Sequence, residues 1–297
     1  MSRFSETVPM NDTVRVFVAA TPVEWLPMRV LEFSIKETAA CSVDVAPLYK
    51  FQRAIPVPRA VVNRPRTPFS FQRFLIPELC GFSGKAIYLD ADMQVFQDIA
   101  ELWACDFNGH DLLTVGEGGQ GRRGQFSVML LDCAELSWHI EDIVRALDDG
   151  TLGYAELMYE MKVACRIGYN IPAVWNSLEH YCAGDTCLLH YTDMPTQPWV
   201  SCYNPLGHLW LACLRRAIAA GFIVDSDITR EISSGHVRPS LVEELSNPNC
   251  ARSVLARFDK DFSPPFKSIE SGKAKPWKSW IAMLNFYKKR VLFRLTD

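Results

Sequence analysis

The sequence predicts an α/β fold in which a mixed, mainly parallel sheet is flanked by helices. Three observations carry that prediction. Short, nearly continuous apolar runs such as "VRVFVAA" (14–20) read as strands covered on both faces. Segments with apolar residues at helical spacing lie between them, and strand–helix–strand order calls for parallel crossovers. Finally, the run "GKAIYLDADMQVF" (84–96) stops on two acids one residue apart, Asp90 and Asp92. Open α/β sheets place their ligands at such strand ends.

Taken in order, 14–20 is the first strand. The helix "TPVEWLPMRVLEFSIKETAA" follows it, with Trp25, Met28, Val30, Leu31 and Ile35 recurring at helical spacing. "CSVDVAPLY" (41–49) is the second strand, and the Pro- and Arg-rich stretch 53–68 is a loop. "FSFQRFLIPELCGF" forms a short helix that turns Phe74, Leu75 and Leu79 inward, and "KAIYL" is the strand that carries the acids. A short helix, "DIAELWACDF", and a strand, "DLLTVGE", come next. The glycine-rich loop "GGQGRRG" (118–124) leads into the buried strand "QFSVMLLDC". Helical patterning dominates beyond Glu135, in "WHIEDIVRALDDG" and "YAELMYEMKVACRIG". "CLLHYTDMPTQPW" is a strand running into a turn, and "LGHLWLACLRRAIAAGF" is an amphipathic helix.

Composition sets the outer limits. The chain has 297 residues, 48% of them hydrophobic and 22% charged, which suits a large globular domain with an appendage. A formal net charge of -3 excludes nucleic acid as a partner for the chain as a whole. The ten cysteines form no CxxC pair, so zinc ribbons and redox motifs are unsupported and reduced thiols are expected. "MSRFSETVPMNDT" has no apolar signal core, and no apolar run approaches the roughly 20 residues of a spanning helix. A cytoplasmic location is the expectation.

Two carboxylates side by side repel unless a cation neutralises them, so a divalent metal is the economical reading of Asp90 and Asp92. A turn cap beside a solvated acid is the plain alternative. Haloacid-dehalogenase-type phosphatases end their first strand on a related D-x-D-x-[TV] motif. Here Gln94 holds the fifth position and the pair arrives after three earlier elements, which disfavours that class.

The stretch "FSFQRFLIPELCGFSGKAIYLDADMQVFQDIAELW" resembles the retaining glycosyltransferases of family 8, which have the GT-A fold, a Rossmann-like nucleotide-diphospho-sugar transferase fold. "QFSVMLLDC" is similar to the family's N-S-G-V-M-L strand, with Gln125 and Phe126 replacing its Asn and Ser. "LLHYTDMPTQPW" is similar to its H-[FY]-x-G-x-x-K-P-W, with Asp193 in place of the glycine and Gln197 in place of the lysine. The likeness spans roughly 14–199 and is closest to the bacterial transferases that build surface polysaccharides.

The resemblance implies roles residue by residue. Asp90, Asp92 and His190 form the metal set, with Mn2+ favoured by carboxylates plus one imidazole and Mg2+ as the other option. Ala20, Thr21, Arg73, Asp90, Ala91, Asp92, Gln125 and Gln197 face the donor. Asp90, Asp92 and Glu156 are the catalytic candidates, although a solvated helix face accounts for Glu156 almost equally well. Lysine would bring a charge to the diphosphate where Gln197 offers a neutral hydrogen bond, and Arg122 or Arg123 of the glycine-rich loop could compensate. Trp175, Trp199 and Trp210 could stack on sugar rings, but most tryptophans in such a chain are core.

The implied activity is metal-dependent transfer of a sugar from a nucleotide-sugar to a hydroxyl of a glycan or lipid-linked acceptor. Retention by front-face attack is expected. A non-catalytic nucleotide-sugar or glycan-binding module on the same fold is the rival reading, fed by Gln197 and Asp193. The expected organisation is a transferase domain over 14–240, divided into a nucleotide-sugar half (14–132) and an acceptor-side half (133–240), with a helical basic and aromatic extension over 241–297. Within 266–297, eight Lys and Arg against Glu270 and Asp297 give +6, leaving -9 on the rest of a chain whose total is -3. Aromatic and aliphatic residues are interleaved with those charges. Such a segment can lie peripherally on the inner face of a membrane, attracted to anionic lipid by ~1 kcal/mol per basic residue.

Overall fold

The computed structural model describes residues 13–116 and 126–265. Gln125, the glycine-rich loop with Arg122 and Arg123, and the basic segment 266–297 lie outside the described residues.

The first element among the described residues is β1 (Val14–Ala19), buried along nearly its whole length. Thr21 and Glu24 then form a capping box ahead of α1 (Trp25–Thr38), whose Leu26, Met28, Val30, Leu31 and Ile35 are turned inward. β2 (Val43–Pro47) completes the first crossover. The 53–68 stretch is a loop apart from one 3-10 turn, Val61–Asn63. A second 3-10 turn, Gln72–Leu75, leads into the short α2 (Ile76–Leu79). β3 (Lys85–Asp90) and β4 (Met93–Val95) flank the acid pair. The segments α3 (Ile99–Trp103), β5 (Leu112–Val115), β6 (Val128–Asp132), α4 (Ile140–Asp149) and α5 (Tyr154–Met158) come next. The chain continues through β7 (Ile167–Ile171), β8 (Ser177–Leu178), β9 (Leu188–His190), α6 (Gly207–Ala219), α7 (Asp225–Ser233), α8 (Leu241–Ser246) and α9 (Arg252–Phe258).

The main sheet runs β2-β1-β3-β6-β5-β7. β6 is antiparallel to both of its neighbours and every other pair is parallel, giving the mixed, mainly parallel sheet that the patterning predicts. Strand alternation sends Phe17, Tyr88 and Met129 to one face, where they pack with Phe74, Trp138 and the apolar side of α4. Val16, Val18, Ile87 and Leu130 go to the other, against α1 and α3. Both faces are covered, as the apolar runs require.

One helical expectation fails. "YAELMYEMKVACRIG" is helix only as far as Met158, and its end turns into β7, which pairs in parallel with β5. Gly168 makes the pairing possible: a Cβ there would sit 2.5 Å from Leu113 Cδ2. The apolar periodicity of 154–158 runs on into residues whose backbone is claimed by the sheet edge.

A second sheet is three-stranded, in the order β4-β9-β8. It packs with α1, α6, α7 and α8 around Leu26, Tyr191, Trp199, Trp210 and Leu241. Trp175, Trp199 and Trp210 are all buried in cores. No helix among the described residues is long and apolar enough to cross a membrane.

Candidate metal and donor site

Asp90 closes β3, and the register sets it beside Ala19, the last residue of β1. The carboxyl ends of both strands therefore open on the same edge, with Ala20 and Thr21 next to the acid pair. Tyr88, two residues back and so on the same side of the strand, donates its hydroxyl to Asp90 Oδ1 at 2.5 Å. Arg73 is buried and stands over the Tyr88 ring, 4.7 Å from its centroid. Its Nε donates to Ser70 O at 3.1 Å and its Nη1 to Phe126 O at 2.9 Å. Its Nη2 is 3.7 Å from Asp90 Oδ1. Burial pushes the Asp90 carboxyl up from its usual range; Arg73 opposes that shift and Asp92 adds to it.

Ala91 is buried between the acids, and Asp92 points toward the small sheet. Met93 pairs with His190 in the antiparallel β4–β9 ladder, and Tyr191 N donates to Asp92 O at 2.8 Å. The His190 Nε2 consequently lies 3.0 Å from Asp92 Oδ1. Its Nδ1 lies 3.0 Å from Asn176 Oδ1, an atom that can only accept, so Nδ1 carries a hydrogen. Asn176 in turn donates through Nδ2 to Ser127 Oγ at 3.2 Å. Burial alone would lower the His190 pKa; the Asp92, Asp90 and Glu179 carboxylates together outweigh it and the ring is raised.

The ligand atoms of Asp90, Asp92 and His190 all lie within 4.8 Å of one another. Ligands at roughly 2.0–2.6 Å from one cation stand no more than about 5 Å apart, so the set fits a divalent ion. Two oxygens and one imidazole nitrogen, with Nδ1 engaged by Asn176 and Nε2 turned to Asp92, match the usual orientation of a ligating histidine.

The other predicted residues take varied places. Ala20 has both backbone polar groups engaged by one side chain, since its N donates to Gln72 Oε1 at 3.2 Å and Gln72 Nε2 donates to its O at 2.9 Å. Thr21 N and Oγ1 both donate to Glu24 Oε2 at 2.6 Å. Burial pushes the Glu24 carboxyl up to about 7 against those bonds, and Asp92 contributes in the same direction. Gln197 is buried, and its Nε2 donates to Asp92 Oδ2 at 3.0 Å and to Tyr191 O at 2.9 Å. Asp193 N donates to Glu179 Oε1 at 2.7 Å. Glu156 accepts from Gly153 N at 2.7 Å and from Lys162 Nζ at 2.5 Å, interactions local to the start of α5.

Sequence reasoning missed Gln72, Glu24, Asn176, Ser127 and Tyr88. The capping-box spacing of Thr21 and Glu24 and the place of Tyr88 two before Asp90 were readable signals. Asn176 and Ser127 carry none, because only the folded chain brings them to His190.

Residues 37–136 match the model of glycosyl transferase family 8. The resemblance that the residues before and after the acid pair suggest is met there. Protein CDI from Arabidopsis thaliana is 32% identical over 93 residues, covering 30% of this chain and 35% of that protein. The chain thus spans about a third of the curated relative it matches. Among solved structures, the bifunctional glycosyltransferase WbbM in its apo form is similar with a TM-score of 0.49 and 12% identity, over 70% of this chain and 50% of that one. The galactosyltransferase LgtC in complex with donor and acceptor sugar analogues gives 0.47 and 13%, over 67% and 95%. The glycosyltransferase GlyE of Streptococcus pneumoniae gives 0.48 and 16%, over 68% and 60%.

Proposed function

We propose that this protein is a metal-dependent glycosyltransferase. It moves a sugar from a nucleotide-sugar donor to a hydroxyl of a glycan or other acceptor, with retention of anomeric configuration. The observation that carries this reading is the convergence of Asp90, Asp92 and His190 at one strand end. The family 8 match over 37–136, which contains both acids, supports it.

Asp90, Asp92 and His190 would hold the ion, Mn2+ or Mg2+. When bound, it supplies Lewis-acid neutralisation of the charge that develops on the departing nucleoside diphosphate. The chain's own residues orient the site. Gln197 holds one oxygen of Asp92 while His190 faces the other. Arg73 steadies Asp90 and places a buried positive charge behind it. The base of the donor lies against Ala20 and Thr21, whose backbone Gln72 and Glu24 keep in place. Gln125 and Glu156 complete the donor and sugar contacts in this reading. The acceptor oxygen bonds to the anomeric carbon as the carbon–oxygen bond to the diphosphate breaks. The acceptor proton passes to the departing phosphate oxygen on the same face.

A domain over 14–240, a cytoplasmic location and peripheral attachment through 266–297 to reach a lipid-linked acceptor belong to the same proposal. A binding module without turnover is the second reading. It is favoured by Gln197, a neutral side chain whose amide nitrogen is already engaged by Asp92 and Tyr191. Incubation with a panel of nucleotide-sugars and Mn2+, following nucleoside diphosphate release, separates the readings. Slow release without acceptor supports the transferase, and donor binding with no release on adding acceptors supports the module. Phosphate release from small phosphoesters would instead point to the phosphatase class.

A further inference from the structure

A cavity of about 680 Å³ lies between α6 and the segment that joins α8 to α9, and Asp90, Asp92 and His190 are not among its lining residues. That volume falls in the ordinary range of small-molecule sites. Its charge is one-sided, with Arg215, Arg238 and Arg252 against Glu244 as its single acid. Arg238 is almost wholly buried. Its Nε donates to Pro198 O at 2.8 Å, and its two Nη groups meet Ser240 Oγ and Glu244 Oε2. Among the described residues, the one carboxylate lining the cavity is thereby committed to Arg238.

Arg215 is differently placed. Its Nη2 donates to the backbone carbonyl of Glu244 at 2.6 Å, while its Nε–H, shielded from solvent, has no acceptor among the described residues. Glu244 O thus serves one of the five N–H donors of this guanidinium, and an oxyanion is the partner that such donors match best. A lone oxyanion would leave most of the volume unused. His208 and Asn249 line the rest and offer polar groups suited to sugar hydroxyls.

We propose that this groove binds the phosphate ester of a saccharide, with Arg215 gripping the phosphate. The assignment stands independently of the metal site, and one contact connects the two. Asn204, which also lines the groove, donates to Thr196 O at 2.8 Å, next to the Gln197 that holds Asp92. A saccharide seated here rests on the back of the turn that positions the acid pair.

Calorimetric titration of the full chain in EDTA with glucose 6-phosphate, glucose and inorganic phosphate tests the assignment. Saturable binding of glucose 6-phosphate, tighter than inorganic phosphate and undetectable for glucose, is expected. Arg215→Ala should weaken it about tenfold or more, since a charge-assisted pair is lost. Arg215→Lys, which keeps the stem and the charge, should give an intermediate loss and covers the case in which the alanine variant does not fold. Asp92→Asn should bind like the parent, which separates this groove from the acid pair. Absence of saturable binding, inorganic phosphate binding as tightly as glucose 6-phosphate, unchanged affinity in folded Arg215 variants, or loss of binding in Asp92→Asn would each overturn the proposal.

Discussion

Met93 and His190 are register partners in the antiparallel β4–β9 pair, and that pairing sets the His190 ring 3.0 Å from Asp92. A backbone ladder thus assembles the site from two segments far apart in the chain. The β4 strand is only three residues long, so it functions less as a sheet than as a clamp between the acid turn and the histidine. Asn176 and Gln197 then fix the two ends of the pair, one on the imidazole and one on the carboxylate.

Asp92→Asn should leave the fold intact. Tyr191 N still meets the backbone carbonyl of residue 92, and an asparagine oxygen still accepts from Gln197. Removing one of two neighbouring carboxylates also relieves their repulsion. Urea unfolding in EDTA should place the variant within about 1 kcal/mol of the parent. A loss of several times that value would mean that the carboxylate is structural.

Asn176→Leu tests the support of the imidazole. With its Nδ1 partner gone, the ring no longer holds one tautomer, and affinity for Mn2+ should fall about 10–100-fold as other outer-shell losses do. Electron paramagnetic resonance of free Mn2+ reads this without any assay of activity. Equal affinity in a variant with an unchanged melting temperature would remove Asn176 from the site.

Manganese affinity should rise with pH. The folded His190 holds its proton more tightly than a free imidazole, and a protonated ring cannot ligate, so binding must displace that proton. Affinity should increase by up to about tenfold per unit below the folded pKa and level off above it. That rise should continue beyond pH 6.5, the ordinary histidine value, because the shift is upward. A pH-independent affinity between pH 5.5 and 8.5 would contradict His190 as a ligand.

Glu24 makes a separate prediction about stability. Unfolded, it ionises near 4.5; folded, it keeps its proton until about 7. Between those values the native state binds more protons than the unfolded chain, so stability falls as pH rises through the window. The full effect is at most about 3 kcal/mol. In Glu24→Gln the Glu24 share of the decline should disappear while that of Asp90 and His190 remains, and urea midpoints at pH 4.5, 6 and 7.5 for both proteins check it. Parallel curves would show that Glu24 ionises like an exposed acid.

The parts of this molecule legible in the sequence are those that depend on neighbours along the chain. The apolar runs at 14–20 and 84–90 announce strands because both faces are covered, and the D-A-D step announces its own strand end. His190 was reachable only through its likeness to a motif, since a histidine in an apolar run does not reveal what it faces. β7 was hidden because Ile167–Ile171 pairs through Gly168, a residue that carries no periodic signal. The displacement of charge at position 197 was readable, but that the glutamine amide would turn to Asp92 was a matter of packing. The Ser127–Asn176–His190 chain joins the residue before β6 to β9 through the turn before β8 and exists only once the chain has folded.

The central claim is that Asp90, Asp92 and His190 form one divalent metal site that engages a nucleoside diphosphate. Mn2+ titration of the full chain by electron paramagnetic resonance, with and without a nucleoside diphosphate, tests it directly. One Mn2+ per chain is predicted, bound more tightly when the diphosphate is present and lost in both Asp92→Asn and His190→Ala. Binding that ignores the diphosphate and survives both substitutions, or no Mn2+ bound at all, would contradict the account.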